Sequence, residues 1–392
     1  MTILLLAIAV FLVQAGFHGY TATLPLALSR GGVPDAAVGL VVGVSAVVQI
    51  PAAVVGGRLV DRFGGHRLFL VGGLAFLVGS LILAIPAVDP RSSIAPFVVA
   101  RLFQGAGVAL TLPSALSLIP SLVRPDGHAN GLSVVGAAGN LTLVVLPPLS
   151  LAVLDAAGLH AVAAMVTAFI LAGLLVFSVM RTRTVAPGRT ATAAARRFGI
   201  VFRRSWGLPL LITVLYVAHW GAVTAYLPVK AEGTGADVGL YFAADGVAVF
   251  VMRMPTAWLA RRFTSRALMA VGVALTACAI GMLLLPLSTP ILVASGLLGG
   301  GASAAVLSPV LFELNRRSGD ADRGSAFALY SGALAGAISL GSIGGAPIVA
   351  AYGLSAALSA GIALILASLA LTLWDPSLRT IVVAGATSAE AS

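Results

Sequence analysis

The chain has 392 residues, of which 59% are hydrophobic and 9% are charged, and its mean hydropathy is +1.06. Soluble domains are about half apolar and about a quarter charged, so this composition excludes an ordinary soluble protein and indicates that lipid covers much of the surface. The net charge of +10 does not indicate a nucleic-acid partner, because the basic residues lie in short loops rather than on a basic helix or beside stacked aromatic residues.

Twelve apolar segments follow one another along the chain, each close to the length of about 20 residues that crosses a bilayer as a helix. Connections between them are short except for 181–207, which contains seven arginines. We therefore predict an all-α membrane protein with twelve transmembrane helices. The predicted spans are 3–28, 37–57, 68–88, 95–122, 131–153, 161–180, 208–229, 238–259, 267–287, 290–313, 325–351 and 355–374.

The distribution of arginines predicts the orientation of these spans, because cytoplasmic loops are enriched in Lys and Arg. With twelve crossings, the seven arginines of 181–207 and the arginines that follow spans 2, 8 and 10 lie on one side. The loops on the opposite side contain only Arg30, Arg91 and Lys230. We therefore expect a multi-pass protein of the bacterial cytoplasmic membrane with both termini in the cytoplasm.

Short sequence matches between the two halves indicate an internal duplication. The resulting prediction is two pseudo-symmetric six-helix bundles over 1–180 and 208–375, a cytoplasmic linker over 181–207 and a cytoplasmic tail over 376–392. The matches are 21–25 (TATLP) with 224–228 (TAYLP), 38–40 with 238–240 (VGL in both), and 62–63 with 262–263 (RF in both).

Two motifs in the first half carry a family resemblance. The turn after span 2 reads GRLVDRFGGHR over 57–67, and span 4 contains RLFQGAG over 101–107. The first resembles the loop signature G-x-L-x-D-R-x-G-x-x-R of the major facilitator superfamily. The second resembles the R-x-x-Q-G-x-G pattern that members of this family, particularly proton-coupled ones, carry in the same helix. The predicted topology is also similar over the whole chain.

The resemblance implies the fold of that family and transport by alternating access, as in its drug and sugar efflux proton antiporters. It also implies that the loop is a conformational switch, a latch that holds the two halves together on the cytoplasmic side while the cavity faces outward. The alternative is a topological turn with retained charges. The implied switch residues are Gly57, Asp61, Arg62, Gly64 and Arg67.

Two departures from the family pattern limit what the resemblance implies. The second copy of the loop reads AWLARRFTSR over 257–266, so Arg261 replaces the acidic residue and the glycine is lost. Span 5 also lacks the Gly-Pro-x-x-Gly-Gly run of many drug antiporters. The motifs therefore specify neither the substrate nor drug transport in particular.

Three charged residues lie well inside predicted spans, Arg101, Asp245 and Arg253, whereas Glu313 lies at the cytoplasmic end of its span. A charge at the centre of a membrane helix costs at least about 2.5–3.5 kcal/mol, and such residues normally face the bundle interior or a wet cavity. Asp245 is the only carboxylate well inside a span. Because removal of a carboxylate from water favours its protonated form, we predict that Asp245 is the proton-coupling residue. The alternative is a fixed ion pair with Arg101 or Arg253.

Arg101 is the second proton-coupling candidate, since its side chain can bind an anionic group of the substrate or adjust a proton-carrying group. In many proton antiporters of the family its partner is an acid on span 1, and span 1 has none here. His18 is the remaining candidate, because imidazole titrates near neutral pH. A structural, hydrogen-bonded pair is an equally compatible interpretation.

Other polar side chains in the spans are candidates for the wall of the substrate cavity, with hydrogen bonds between helices as the competing interpretation. The sequence has no metal-ligand spacing, P-loop or nucleophile motif, so no enzyme activity, cofactor or metal site is expected. The cavity candidates are Gln14, Gln49, Gln104, Asn140, His219, Trp220 and Arg253.

These observations predict a monomeric secondary transporter in the lipid bilayer that couples export of a small drug-like or sugar-like molecule to protons. Three alternatives remain open at this point. The protein can be an uptake symporter or uniporter, a receptor without transport activity, or a lipid flippase on the same scaffold.

Overall fold

A computed structural model of the chain describes residues 2–124, 127–180, 202–260, 262–318 and 322–379. Within these ranges nearly all residues are helical and no strand occurs, which confirms an all-α fold. Most of the predicted linker 181–207 and of the predicted tail 376–392 lies outside the described residues. Helix α7 begins at Arg204, inside the predicted linker.

The helices cover the predicted spans, although one helix contains two spans and two spans are each divided into two helices. Their bounds are α1 Thr2–His18, α2 Thr23–Arg30, α3 Asp35–Phe63, α4 Gly65–Ala84, α5 Ala95–Leu122, α6 His128–Ser178, α7 Arg204–Ala231, α8 Val238–Leu259, α9 Ser265–Met282, α10 Thr289–Arg316, α11 Arg323–Ser342, α12 Ala346–Tyr352 and α13 Leu354–Trp374, and a 3₁₀ turn follows at Pro376–Arg379.

Helix α6 contains 51 residues, about 77 Å at 1.5 Å per residue, which far exceeds the hydrocarbon core of about 30 Å. Gly158 divides it, with φ 79° and ψ 179°, a conformation that glycine adopts without a steric penalty. Ten of the described helical segments are long and apolar enough to cross a membrane, and α8 adds a shorter apolar stretch, Val238–Met252. The predicted number of twelve is reached when α8 is included and α6 is counted as two.

Two of the predicted spans consist of two helices each. The first is α1 followed by α2, and the eleventh is α11 followed by α12. The second interruption contains Gly344 and Gly345, and glycine costs a helix about 1 kcal/mol relative to alanine. Continuous hydropathy cannot show such a break, because both sides of it are apolar.

Equivalent helices pack in the same way in the two halves. In the first half α3 and α4 both pack on α5, and in the second half α8 and α9 both pack on α10. Contacts between the halves involve α3 with α11 and α6 with α8. The result is a pair of related bundles that meet along two seams.

The two halves pack most tightly at one end of the bundle, which we call the Arg30 end; the opposite end, where α3 and α8 finish, we call the linker end. At the Arg30 end a methyl group added to Gly39 would lie 2.6 Å from the carbonyl oxygen of Ser342, and one added to Gly239 would lie 2.7 Å from Pro148 Cα. Towards the linker end, a methyl group at Gly332 would still be 4.0 Å from Ile50. The arrangement is therefore closed at the Arg30 end.

Candidate functional site

Arg101 lies on α5 and is buried, with 4% of its surface exposed. Its Nη1 donates to Gln104 Oε1 (2.8 Å), and its Nη2 donates to Ser45 Oγ (2.7 Å) and to the carbonyl oxygen of Val42 (3.0 Å). The guanidinium also lies 4.9 Å from the centre of the Phe17 ring. One cation thus links α5 to α3 and α1, and no ion pair with a described carboxylate neutralises it.

Close approach of α5 and α3 depends on Gly105, one turn after Arg101. A methyl group at this position would overlap the carbonyl oxygen of Ser45 and lie 3.0 Å from its carbonyl carbon. The short distance brings the α3 acceptors within reach of the Arg101 guanidinium. The RLFQGAG motif therefore supplies the cation, its acceptor Gln104 and the glycine that allows the helices to meet.

Asp245 lies on α8 inside the second bundle and is 7% exposed. It forms no hydrogen bond or ion pair with any residue in the described ranges. Helix α10 covers it closely, because a methyl group at Gly300 would lie 2.9 Å from the Asp245 carbonyl carbon, and one at Gly296 would lie 3.2 Å from the Asp245 nitrogen. Helices α8 and α10 therefore approach each other closely at Asp245, and its buried carboxylate has no cationic partner among the described residues.

Asp245 occupies the position in the second half that corresponds to Ser45 in the first half. The two residues are 200 positions apart, as are the VGL segments at 38–40 and 238–240. In the first half the Ser45 hydroxyl accepts from Arg101. In the second half α10 presents Gly296 and Gly300 to α8 instead. The acid of the second bundle thus lies at the position related to Ser45, which is an acceptor of the Arg101 cation in the first bundle. The alternative of a fixed Asp245–Arg101 pair is not observed, and the side chain of Arg253 lies outside the described residues.

His18 does not pair with Arg101, which corrects one of the arrangements considered from the sequence. Its Nδ1 lies 2.6 Å from Thr142 Oγ1 on α6, and the Phe17 ring is next to both, 5.5 Å from the His18 ring and 4.9 Å from the guanidinium. Arg101 turns towards the oxygen acceptors of α3, which are better partners for a cation than a neutral imidazole.

The remaining predicted cavity residues mostly bond to neighbouring helical groups. Gln14 Oε1 accepts from Thr111 Oγ1 (3.1 Å), and Gln49 Nε2 donates to the Ser45 carbonyl (3.2 Å). His219 Nδ1 is 2.5 Å from the Tyr216 carbonyl oxygen, and Trp220 packs edge-on against Phe242. The first three contacts are hydrogen bonds between or within helices, and the fourth is an aromatic contact; the assignment of these residues to the cavity wall stays a prediction.

A groove of about 500 Å³ lies between the halves, formed by α1, α6 and α8. Asn140 is the one polar residue among the described residues that line it, and Asn140 Nδ2 has no hydrogen-bond partner within the described ranges. Apolar residues give no functional signal in a sequence, so of this groove only Asn140 was predicted. The lining residues are Leu4, Ala7, Ile8, Phe11, Leu12, Val134, Ala137, Ala138, Asn140, Leu141, Val144, Val247 and Phe250.

Arg30 connects the two halves directly at the Arg30 end. Its Nη1 donates to Asp155 of the first half (2.7 Å), and its Nε donates to Glu232 of the second half (3.1 Å). This contact was not predicted from the sequence. The sequence signal that could have indicated it is the scarcity of cations in the loops at this end, because only Arg30, Arg91 and Lys230 are available there to pair with the loop carboxylates.

The predicted switch loop forms the tight turn between α3 and α4. Gly64 has φ +80°, which explains the glycine at this position of the motif. Arg62 and Arg67 are exposed, and the Arg62 guanidinium lies 5.2 Å from the centre of the Phe63 ring. The side chain of Asp61 and the surroundings of Gly57 lie outside the described part of the chain, so their role as a latch stays a prediction.

Comparison with protein families decides the class of protein. A family model described as Major Facilitator Superfamily matches residues 6–288, well over half of the chain. The chain belongs to the Major Facilitator Superfamily. It is accordingly a multi-pass membrane protein of a transporter family rather than an enzyme, as expected from the sequence.

Similar curated proteins include a transport protein and two resistance proteins. The chain is 26% identical over 171 residues to the inner membrane transport protein YajR of Escherichia coli (43% of this chain, 35% of the relative). It is 30% identical over 104 residues to multidrug resistance protein 3 of Bacillus subtilis (26% and 19%) and 42% identical over 87 residues to the lincomycin resistance protein of Streptomyces lincolnensis (22% and 17%). The matches thus span about a sixth to a third of these relatives.

Similar solved structures extend over nearly the whole chain. A peptide transporter POT in complex with sulfate has a TM-score of 0.79 at 16% identity, covering 95% of this chain and 93% of that chain. A D-xylose-proton symporter has a TM-score of 0.73 at 17% identity, covering 97% and 98%. At such low identity these similarities show that the fold is shared and do not identify the substrate.

Proposed function

We propose that the protein exports a small, largely apolar molecule across the cytoplasmic membrane in exchange for protons, acting as a monomer by alternating access. The observation that carries the proposal is Asp245, a buried carboxylate without a cationic partner among the described residues. Both termini are proposed to lie in the cytoplasm, as the arginine distribution indicates.

The coupling chemistry follows from the environment of Asp245. A charged carboxylate away from water is strongly disfavoured unless it is paired. When α8 and α10 enclose Asp245, the protonated form is therefore favoured, and when the helices separate and water enters, the proton can leave. A proton taken up on one side of the membrane is thereby released on the other as the bundles rock about their seams.

Arg101 has a positioning role in this proposal. It holds α5 to α3 through Ser45 and Val42 and contacts α1 through Phe17. Because Arg101 joins these three helices, movement of one helix also moves the other two. The first bundle therefore moves as a unit against the second.

The substrate class is proposed from the inter-half groove. A volume of about 500 Å³ lies within the range of about 300–1,000 Å³ for small-molecule sites. A sugar would leave many hydroxyl groups without partners against these apolar walls, and each unpaired polar group is costly. The groove thus favours the drug-like over the sugar-like alternative, as do the names of the multidrug and lincomycin resistance relatives.

Proteoliposomes assayed in turn with a lipophilic quaternary ammonium compound, whose fixed charge prevents passive trapping by protonation, with a hexose and with an organic acid test this proposal. With an imposed pH gradient, we expect the lipophilic compound alone to accumulate against its gradient on the acidic side. Movement of the hexose alone, or movement of any compound together with protons, would instead favour the sugar-like or the symport alternative.

The proposed latch predicts that Asp61→Asn lowers transport by roughly tenfold or more, since hydrogen bonds to a charged group are worth about 1.5–3 kcal/mol. Initial transport rates per amount of inserted protein measure the effect. Asp89→Asn is the control, because Asp89 is an exposed loop carboxylate at the Arg30 end that accepts from the backbone nitrogen of Arg91. Wild-type transport in Asp61→Asn would rule out the latch.

The inter-half contact of Arg30 predicts that Arg30→Gln favours opening at the Arg30 end. Each exposed ion pair contributes about 0.2–1 kcal/mol, so the open population should rise roughly two- to fivefold. Distances between spin labels at the exposed residues Ser93 and Leu285, in a Cys278→Ser background, report the change. Arg91→Gln removes an exposed charge at the same end and should leave the distances unchanged. Equal distributions for Arg30→Gln and wild type would show that Arg30 does not hold this end closed.

A further inference from the structure

We propose that the loop between α8 and α9 binds the headgroup of an anionic phospholipid in the leaflet at the linker end. The loop contains Arg262 and is flanked by Trp258 at the end of α8 and Arg266 at the start of α9. This interaction is separate from the transport pathway, and it assigns a function to the second copy of the switch motif.

Arg262 has a geometry that suits an anionic headgroup. Its guanidinium lies 4.2 Å from the centre of the Trp258 ring, and Arg262 is exposed. The described residues provide it with no ion pair. A guanidinium held over an aromatic face can still form paired N–H hydrogen bonds with a phosphate.

The two copies of the loop differ in charge. In the first copy Arg62 lies over Phe63 in a similar way, 5.2 Å from the ring centre, and Asp61 precedes it. In the second copy Arg261 occupies the place of that acid, and 257–266 contains three arginines and no carboxylate. The second copy has thus kept the supported arginine and lost the acid that would repel a phosphate.

Exposed aromatic residues indicate that the loop lies at the membrane surface. Trp258 and Phe263 are 51% and 49% exposed and flank the end of α8, and aromatic residues are enriched at the headgroup level of a bilayer. Glu313 of α10, which accepts from Ser265 Oγ (3.0 Å) and from Arg316 Nη2 (2.6 Å), is fully buried and is therefore not exposed at this surface.

Native mass spectrometry of the detergent-solubilised full chain, titrated with phosphatidylglycerol or phosphatidylcholine, tests the proposal. We expect wild type to bind phosphatidylglycerol more tightly. Arg262→Gln should weaken that binding roughly fivefold, since an arginine near an anionic surface contributes about 1 kcal/mol. Arg262→Lys should weaken it less. Arg91→Gln, which removes an exposed arginine at the opposite end, should bind as wild type.

Three results would overturn the proposal. The first is equal affinity of wild type for the two lipids. The second is equal weakening by Arg262→Gln and Arg91→Gln, which would indicate an effect of net charge alone. The third is displacement of bound phosphatidylglycerol by an equal concentration of inorganic phosphate, which would indicate a site for free anions rather than for lipid. Because Arg262 is exposed, its substitution is not expected to impair folding, and circular dichroism checks this.

Discussion

Asp245→Asn is expected to abolish accumulation of substrate driven by a pH gradient while leaving exchange of substrate across the membrane intact. Asparagine has nearly the shape of aspartic acid and mimics its neutral form, so α8 and α10 can still enclose it. It cannot release a proton, and the conformational cycle then no longer depends on one. Proteoliposomes measure both activities, first with an imposed pH gradient and then with labelled substrate outside and unlabelled substrate inside.

The matched control for this prediction is Asp237→Asn on the same helix. The Asp237 carboxylate caps α8, accepting from the Gly239 nitrogen at 2.9 Å and the Leu240 nitrogen at 3.4 Å, and asparagine is an equally good N-cap. This control should therefore keep pH-driven accumulation. If Asp245→Asn also keeps it, Asp245 is not the coupling residue; if both activities disappear, its role is structural.

Gly105→Ala is expected to destabilise the first bundle and to abolish transport. The new methyl group would overlap the Ser45 carbonyl oxygen, which is backbone and cannot rotate away. Helices α3 and α5 must then separate, and Arg101 loses its bonds of 2.7 Å to Ser45 Oγ and 3.0 Å to the Val42 carbonyl. Overpacking costs about 1–3 kcal/mol, and the unpaired buried guanidinium adds to this cost.

Thermal unfolding in detergent and transport in proteoliposomes measure the effect of Gly105→Ala. Gly136→Ala on α6 is the control, because a methyl group there meets no atom within 4 Å; it should unfold at the wild-type temperature or slightly above, since alanine favours helix. If Gly105→Ala had the same unfolding temperature and the same transport activity as the control, close contact between α3 and α5 would not be required for the transport cycle.

Much of the fold could be predicted from the sequence because the bilayer allows few backbone conformations. Backbone groups in hydrocarbon must be paired within the chain, which restricts the spans to helices of a fixed length. The predicted span 290–313 thus corresponds to α10, Thr289–Arg316. The break between α1 and α2 could not be predicted, because hydropathy is high throughout that span.

The candidate site could be predicted only where a polar residue sits in apolar surroundings. Arg101 and Asp245 were identified in this way, since a charged side chain in hydrocarbon is costly and usually has a functional role. The partners of Arg101 could not be predicted, because they depend on which faces of α3 and α5 meet. The groove and the contact of Arg30 with Glu232 were missed for a related reason: both form only when the two halves come together.

Simultaneous recording of substrate movement and internal pH in proteoliposomes of the wild-type protein tests the central claim most directly. We predict that a lipophilic substrate leaving along its own gradient drives protons the opposite way, and that this pH change is absent with Asp245→Asn. Movement of substrate without any change of internal pH in the wild type would contradict proton-coupled export.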